Sequence, residues 1–143
     1  MNEIYPAPWT LSGRGYIILY KFPKSFVEKN ANVPEFLKGQ LAGGFGALML
    51  VDYSASDAGP YGELLLIPGK FHHRGKRLNT ITKIYVSTMA SVENGRRNWG
   101  IPKVLAEFSF KSIGSCTEKV NISTDKKTIA EFTLESGKLS FPV

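Results

Sequence analysis

The sequence predicts a mainly β fold, an antiparallel barrel or sandwich with one or two short helices. Apolar and polar residues alternate with a period of two along most of the chain, which is the pattern of half-buried strands. Gly, Pro, Asn and Asp bound these segments, as expected for turns. Roughly seven or eight short strands with so few helical segments are typical of barrels and sandwiches. The length of 143 residues suits one domain, so we expect a single domain over residues 1–143.

The expected strands are short and are separated by turn residues. In chain order they cover residues 14–22, 44–53, 61–67, 81–87, 104–111, 117–124 and 128–134, with a further short strand at 138–141. The polar residues between the strands at 117–124 and 128–134 predict a tight hairpin there.

Two segments favour helix. The first begins near Pro23 and ends before Pro34, because proline is tolerated in the first turn of a helix and not in its interior. The second has Ser87 or Thr88 as its N-cap. It must end by Gly100, because a proline follows two residues later and drives the preceding residue out of the helical conformation.

The net charge of +6 raises the question of nucleic-acid binding. The densest basic cluster combines four cations with two histidines: Lys70, His72, His73, Arg74, Lys76 and Arg77. Its flanking glycines indicate a mobile hairpin loop, and such loops collect cations without any partner. The chain shows no aromatic pattern of the kind that stacks on bases, so we do not expect nucleic acid as the partner. A substrate with a phosphate or a carboxylate would also be attracted by this charge.

Composition predicts a cytoplasmic protein without a membrane span, a metal or a cofactor. No apolar run approaches the roughly 20 residues of a membrane helix, and no secretory signal is visible at the amino terminus. The single cysteine, Cys116, excludes an internal disulfide and suits a reducing compartment. The adjacent His72 and His73 would point to opposite faces of a strand, which is poor geometry for one metal ion.

Lys103 is the most informative candidate for a functional residue. It follows Gly100-Ile101-Pro102 and opens an apolar stretch, so a turn would hold its backbone while its neighbours exclude water. Burial disfavours the ammonium form of a lysine and favours the neutral amine, which is a nucleophile. A surface lysine after a turn is the simpler alternative, because most lysines are exposed.

Three segments together resemble the acetoacetate decarboxylase superfamily. In chain order they are Arg14-Gly15-Tyr16, Tyr61-Gly62-Glu63 and Gly95-Arg96-Arg97-Asn98-Trp99-Gly100-Ile101-Pro102-Lys103. Members of that superfamily carry an Arg-x-Tyr, a Tyr-x-Glu and a lysine segment ending in Pro-Lys in the same order, and the lysine segment is the specific one. The resemblance implies the decarboxylase-like β fold.

The resemblance also implies a role for each residue. Lys103 would form a Schiff base with a small keto acid or another carbonyl compound, and Glu63 would move protons or position the substrate. Arg14 would bind a substrate carboxylate, with Tyr61 and Arg96 as further substrate-binding residues. An iminium is a better electron sink than a ketone, so decarboxylation and aldol or dehydration chemistry become accessible. The simpler alternatives are a solvent-facing glutamate, a surface arginine, and a helix-terminal arginine that meets the macrodipole.

Two positions depart from the decarboxylases. Val104 follows the lysine where those enzymes have a second lysine, and the strand at 44–51 has no acid where they have a glutamate. These departures indicate that the scaffold was kept while the reaction changed. The alternative function is a non-catalytic barrel that binds a small ligand in the same pocket. The chain is also shorter than typical members, which would leave a sheet edge open, so we expect an incomplete barrel or a homo-oligomer.

Overall fold

The computed structural model describes residues 3–125 and 127–137, and the chain divides into two compact units, Met1–Leu105 and Ala106–Val143. The described residues are mainly β with two α-helices, which confirms the predicted class. A single domain over residues 1–143 stays a prediction. The strand predicted at 138–141 lies outside the described residues.

The first unit contains both helices and the first eight strands of the described chain. Its elements are β1 Leu11–Tyr20, α1 Lys24–Asn30, a short 3-10 helix Glu35–Leu37, β2 Leu41–Gly43, β3 Gly46–Ser56, β4 Tyr61–Ile67, β5 Lys70–His73, β6 Lys76–Asn79, β7 Lys83–Val86, α2 Met89–Trp99 and β8 Lys103–Leu105. The second unit contains β9 Glu107–Ser112, β10 Thr117–Thr124 and β11 Lys127–Glu135, which form one antiparallel sheet with β10 in the centre.

A five-stranded sheet in the order β1-β3-β4-β7-β8 is the scaffold of the first unit. Its pairs are antiparallel except β7 and β8, which run parallel and are connected through α2. Leu65 lies opposite Ile84, and Ile84 lies opposite Lys103. Because strand side chains alternate between faces, Glu63 shares its sheet face with Leu65 and therefore with Lys103.

Helix α2 covers that face of the sheet. Its buried Val92 packs in a cluster with Tyr61, Leu65, Ile84 and Val86. Burying an aliphatic side chain of this size contributes about 1.5–3 kcal/mol, so the cluster holds the helix against β4 and β7. Both ends of the helix follow the sequence prediction, because Thr88 is the N-cap and Gly100 ends it in the left-handed conformation at φ 65°.

The segment predicted as a mobile hairpin loop is a hairpin, and its two arms are paired β-strands that were not predicted. Strands β5 and β6 pair through a turn at Arg74 and Gly75, whose φ angles are 48° and 74°. Two positive φ angles match the twist of a two-residue hairpin turn, but Arg-Gly is not among the usual sequence signals for it. The hairpin extends β2 into a separate three-stranded sheet, β2-β5-β6.

The single strand predicted over 104–111 is wrong, because the chain forms β8 and β9 with a break at Ala106. Strand β8 pairs with β7, whereas β9 pairs with β10. Alternating hydrophobicity continues across the break and carries no information about which strand is the partner. Among the described residues the strands form three open sheets and no closed barrel.

Candidate functional site

Lys103 lies at the first position of β8, where the turn after α2 places it. The N–H of Gly100 donates to the carbonyl oxygen of Arg96 at 3.0 Å, and the N–H of Lys103 donates to the carbonyl oxygen of Ile101 at 2.8 Å. These bonds fix the backbone on the amino-terminal side of the lysine. The side chain turns inward, and the residue is only 3% exposed, which confirms the predicted burial.

The amine of Lys103 has two hydrogen-bond acceptors inside the protein. Its Nζ donates to Glu63 Oε2 at 3.0 Å and to Ser91 Oγ at 3.0 Å. The same atom lies 5.0 Å from the ring centroid of Tyr61 and 5.7 Å from that of Trp9, within the range of a cation–π interaction. Glu63 is 6% exposed, so the carboxylate and the amine form a buried ion pair.

Helix α2 contributes the serine and makes room for the lysine. The N–H of Ser91 donates to the Thr88 side chain at 3.3 Å in the N-cap. Gly95 lies one turn further along the same helix face, and a Cβ there would be 2.6 Å from Cδ of Lys103. Sequence reasoning missed Ser91. The signal that could have found it is its spacing of four residues from the glycine of the lysine segment.

The amino-terminal segment is tied to α2 and delivers an aromatic ring to the site. Asn94 accepts from the N–H of Tyr5 at 2.9 Å and donates to the carbonyl oxygen of Glu3 at 3.1 Å. Asn98 and the indole N–H of Trp9 both donate to the carbonyl oxygen of Tyr5, at 2.8 and 3.0 Å. These bonds position the Trp9 ring beside the amine of the lysine, a role that sequence reasoning missed.

Arg96 holds the backbone of the lysine. Its Nε and Nη2 donate to the carbonyl oxygen of Lys103 at 3.0 and 2.6 Å. Two donors on one oxygen fix the start of β8 relative to the helix. The predicted role of Arg96 in substrate binding stays a prediction.

Arg14 lies on the other face of the sheet. It is opposite Asp52 in the strand register, and Asp52 is opposite Gly62, the neighbour of Glu63. Consecutive residues of a strand face opposite sides, so the structure does not bring Arg14 to the Lys103 pair. Its Nη2 lies 3.4 Å from Asp52 Oδ2 at the surface. The predicted role of Arg14 in carboxylate binding is not supported by this placement and stays a prediction.

A cavity of about 250 Å³ opens beside the lysine. Lys103 and Glu63 are its charged lining residues. The remaining lining is aromatic or aliphatic: Trp9, Leu11, Tyr53, Tyr61, Leu65, Ile81, Ile84, Trp99 and Ile101. Trp9 and Trp99 meet edge to face at 5.0 Å, and Trp99 is 45% exposed. The indole pair therefore forms part of the mouth of the cavity.

The two tyrosines of the cavity keep their protons at neutral pH. Burial raises the pKa of Tyr53 to about 12, and the charge of Glu63 adds to this effect. Burial also raises the pKa of Tyr61 well above its usual value, again with a contribution from Glu63, and its hydroxyl neighbours Ser91. A protonated phenol can donate a hydrogen bond to an oxygen atom of a ligand.

Residues 3–125 and 127–137 contain neither a membrane-spanning helix nor a cluster of metal-binding side chains. No helix in these ranges is long and apolar enough to cross a membrane. No cluster of three or more His, Cys, Asp and Glu side chains within them could hold a metal ion.

The fold and the site define a mainly β protein built around a buried lysine–glutamate pair in an aromatic cavity. The chain belongs to the acetoacetate decarboxylase family, whose model matches residues 2–140. This confirms the resemblance drawn from the three sequence segments. No curated protein sequence matches the chain.

Solved structures share the fold at low sequence identity. An acetoacetate decarboxylase from Legionella pneumophila is similar over 99% of this chain and 55% of its own, at a TM-score of 0.75 and 17% identity. A second acetoacetate decarboxylase covers 97% and 55%, with a TM-score of 0.74 and 18% identity. The enduracididine biosynthesis enzyme MppR, complexed with the condensation product of pyruvate and imidazole 4-carboxaldehyde, covers 92% and 57%, with a TM-score of 0.68 and 15% identity. The chain therefore spans a little over half the length of these proteins.

Proposed function

We propose that this chain is a Schiff-base protein in which the amine of Lys103 condenses with the carbonyl carbon of a small substrate. The observation that carries the proposal is the burial of Lys103 to 3% exposure, with Nζ 3.0 Å from Glu63 Oε2. The amine is desolvated, aimed by a fixed backbone and adjacent to a carboxylate that can accept its proton. These are the features that a lysine nucleophile needs.

The condensation needs no reactant other than the substrate and the side chains of this site. The ammonium of Lys103 and a ketone or aldehyde give a protonated iminium and one water molecule. The C–N bond forms, the carbonyl oxygen leaves, and two of the three ammonium protons leave with it as water. Glu63 and Ser91 both contact Nζ, so they can carry these protons between nitrogen and oxygen.

The site also suits the positive charge of the iminium. Glu63 remains beside it as a counter-ion, and the rings of Tyr61 and Trp9 present their faces to the nitrogen. Electrons released at the neighbouring carbon by loss of a proton or of carbon dioxide would be delocalised into the iminium. Glu63 would accept or return the proton, and the Tyr61 phenol would donate to a substrate oxygen.

A shared fold adds support for carbonyl chemistry. MppR is similar to 92% of this chain, over 58% of its own length, and is complexed with pyruvate in one of its structures. In another it is complexed with a condensation product of pyruvate and an aldehyde. Decarboxylation and aldol or dehydration chemistry are therefore the reaction classes that we propose for this chain.

The test is reductive trapping with sodium borohydride in the presence of a panel of small ketones, aldehydes and keto acids. We expect the peptide that contains Lys103 to gain the mass of the reduced adduct. The variant Lys103→Arg should lose the label, because a guanidinium does not form a Schiff base under these conditions. Lys83→Arg is the matched control, since Lys83 also faces an aromatic ring, at 5.0 Å from Tyr85, and should leave the label unchanged. No adduct with any carbonyl of the panel would contradict the proposal.

The second candidate is a non-catalytic protein that binds a small ligand in the same cavity. The observation in its favour is that the amine of Lys103 already has two hydrogen-bond acceptors, as in a structural ion pair. This alternative predicts that carbonyl compounds raise the melting temperature without any trapped adduct. It also predicts that part of this shift survives in Lys103→Met.

A further inference from the structure

The cavity beside Lys103 has an apolar lining and a balanced charge. Among residues 3–125 and 127–137, eleven line the cavity, and nine of these are aromatic or aliphatic. The two charged ones, Lys103 and Glu63, are hydrogen-bonded to each other at 3.0 Å. Its volume of about 250 Å³ lies just below the ~300–1,000 Å³ of sites for drug-sized ligands, so a small molecule suits it.

The charge of the site does not change when a neutral carbonyl compound reacts. Before condensation the ammonium of Lys103 balances the carboxylate of Glu63, and afterwards the protonated iminium does the same. A keto acid would bring a second carboxylate into the cavity, while the positive charge at Lys103 is already paired with Glu63. That carboxylate could accept from the neutral phenols of Tyr53 and Tyr61, but the described lining offers it no free counter-charge. A buried charge without a counter-charge is strongly unfavourable.

The two arginines that the sequence offered as carboxylate ligands are engaged elsewhere. Arg14 lies on the opposite sheet face with Asp52. The guanidinium of Arg96 donates two hydrogen bonds to the carbonyl oxygen of Lys103. Both cations therefore lie outside the lining of the cavity.

We propose that the substrate of this site is a small, uncharged, apolar ketone or aldehyde and not a keto acid. The inference rests on the proposed Schiff-base function and narrows its reaction classes to aldol and dehydration chemistry, without decarboxylation. An uncharged substrate has no carboxylate to lose, so the iminium would serve the removal of a proton at the adjacent carbon and carbon–carbon bond chemistry there. Glu63 would carry that proton between the carbon and water.

The test compares substrates of similar size and different charge. Pyruvate is paired with 3-methyl-2-butanone, in which two methyl groups replace the carboxylate oxygens, and phenylpyruvate is paired with 3-methyl-1-phenyl-2-butanone. Borohydride trapping at Lys103 is measured for each, and each rate is divided by the rate for Nα-acetyl-lysine under the same conditions. This division removes the intrinsic reactivity of the carbonyl group.

We expect the normalised trapping rate to favour the ketones by roughly tenfold or more, because the acids must bury a carboxylate without a counter-charge. Equal or faster trapping of the acids at Lys103 would overturn the inference and leave the Schiff-base function standing. Trapping of neither member at Lys103 would overturn both.

An added cation at the mouth of the cavity gives a second readout. Leu11 lines the cavity and is 42% exposed, so the arginine of Leu11→Arg can keep its stem on the surface and its head near the ligand. We expect this variant to raise normalised trapping of the acids relative to that of the paired ketones. Leu19→Arg adds the same charge on β1 away from the cavity and should alter neither. An unchanged preference in a folded Leu11→Arg protein would contradict the charge argument.

Discussion

Two ion pairs lie on opposite faces of the same sheet and differ in almost every respect. Glu63 and Lys103 meet at 3.0 Å, with side chains 8% and 4% exposed. Arg14 and Asp52 meet at 3.4 Å, with side chains 59% and 37% exposed. Asp52 on β3 lies opposite Gly62 on β4, and Gly62 is the residue before Glu63. A step of one residue along a strand separates a surface pair from a buried one.

The comparison shows that burial decides what such a pair can do. Water screens the pair of Arg14 and Asp52, so its contribution to stability is about 0–1 kcal/mol. The pair of Glu63 and Lys103 is surrounded by the Ser91 hydroxyl, aromatic rings and apolar side chains in place of water. Loss of one partner would leave a buried charge, and proton transfer between the partners can serve a reaction.

The largest effect is expected from breaking the buried pair. Glu63→Gln removes the counter-charge of Lys103 and should lower the free energy of unfolding by about 3–5 kcal/mol, measured by urea denaturation. The double variant Glu63→Gln with Lys103→Met should recover most of that loss, because no charge remains buried. A double variant that is no more stable than Glu63→Gln would show that the pair is not the origin of the loss.

A smaller effect is expected from filling the space beside the lysine. Gly95→Ala places a Cβ 2.6 Å from Cδ and 2.9 Å from Cε of Lys103, so the side chain must shift away from Glu63. Overpacking of this kind costs about 1–3 kcal/mol, while the better helix propensity of alanine returns roughly 1 kcal/mol.

The measurement for Gly95→Ala is the rate of adduct formation together with the free energy of unfolding. We expect the rate of adduct formation to fall several-fold, which is more than the loss of folded protein would cause. Arg97→Ala is the matched control, because it alters an exposed position of the same helix and should leave both quantities nearly unchanged. Normal trapping in Gly95→Ala would mean that the position of the lysine is not critical.

The smallest effect is expected at the surface pair. Asp52→Asn should change the free energy of unfolding by less than about 1 kcal/mol, and added salt should reduce the difference further. Urea denaturation at low and high salt measures this. A loss as large as that of Glu63→Gln would contradict the assignment of the two pairs to different environments.

The predicted elements match the structure where the hydrophobic pattern and the flanking turn or cap residues indicated the same bounds. The bounds predicted for β4 and β10 match the structure, and α2 begins and ends at the predicted cap residues. The predictions failed where the pattern was short or ambiguous. The pattern at 104–111 continues through Ala106 and does not show that β8 and β9 pair with different strands. The hairpin of β5 and β6 was predicted, but its four-residue arms are rich in cations and gave no strand pattern.

The site was predictable in part. Motif similarity singled out Lys103, Glu63 and Tyr61, and the structure places all three around one cavity. Ser91 and Trp9 contribute to the same site but belong to no motif that sequence reasoning used. Their contacts with the lysine depend on the packing of α2 and of the amino-terminal segment.

The sequence by itself determined the β class, the second helix, the turn that presents Lys103 and the shared face of Tyr61 and Glu63. These features depend on periodicity and on the backbone preferences of glycine and proline, which act over a few residues. Only the tertiary structure decided that Glu63 pairs with Lys103 while Arg14 does not. Strand register sets that choice, because one residue of alternation moves a side chain to the other face of the sheet and register depends on distant partners.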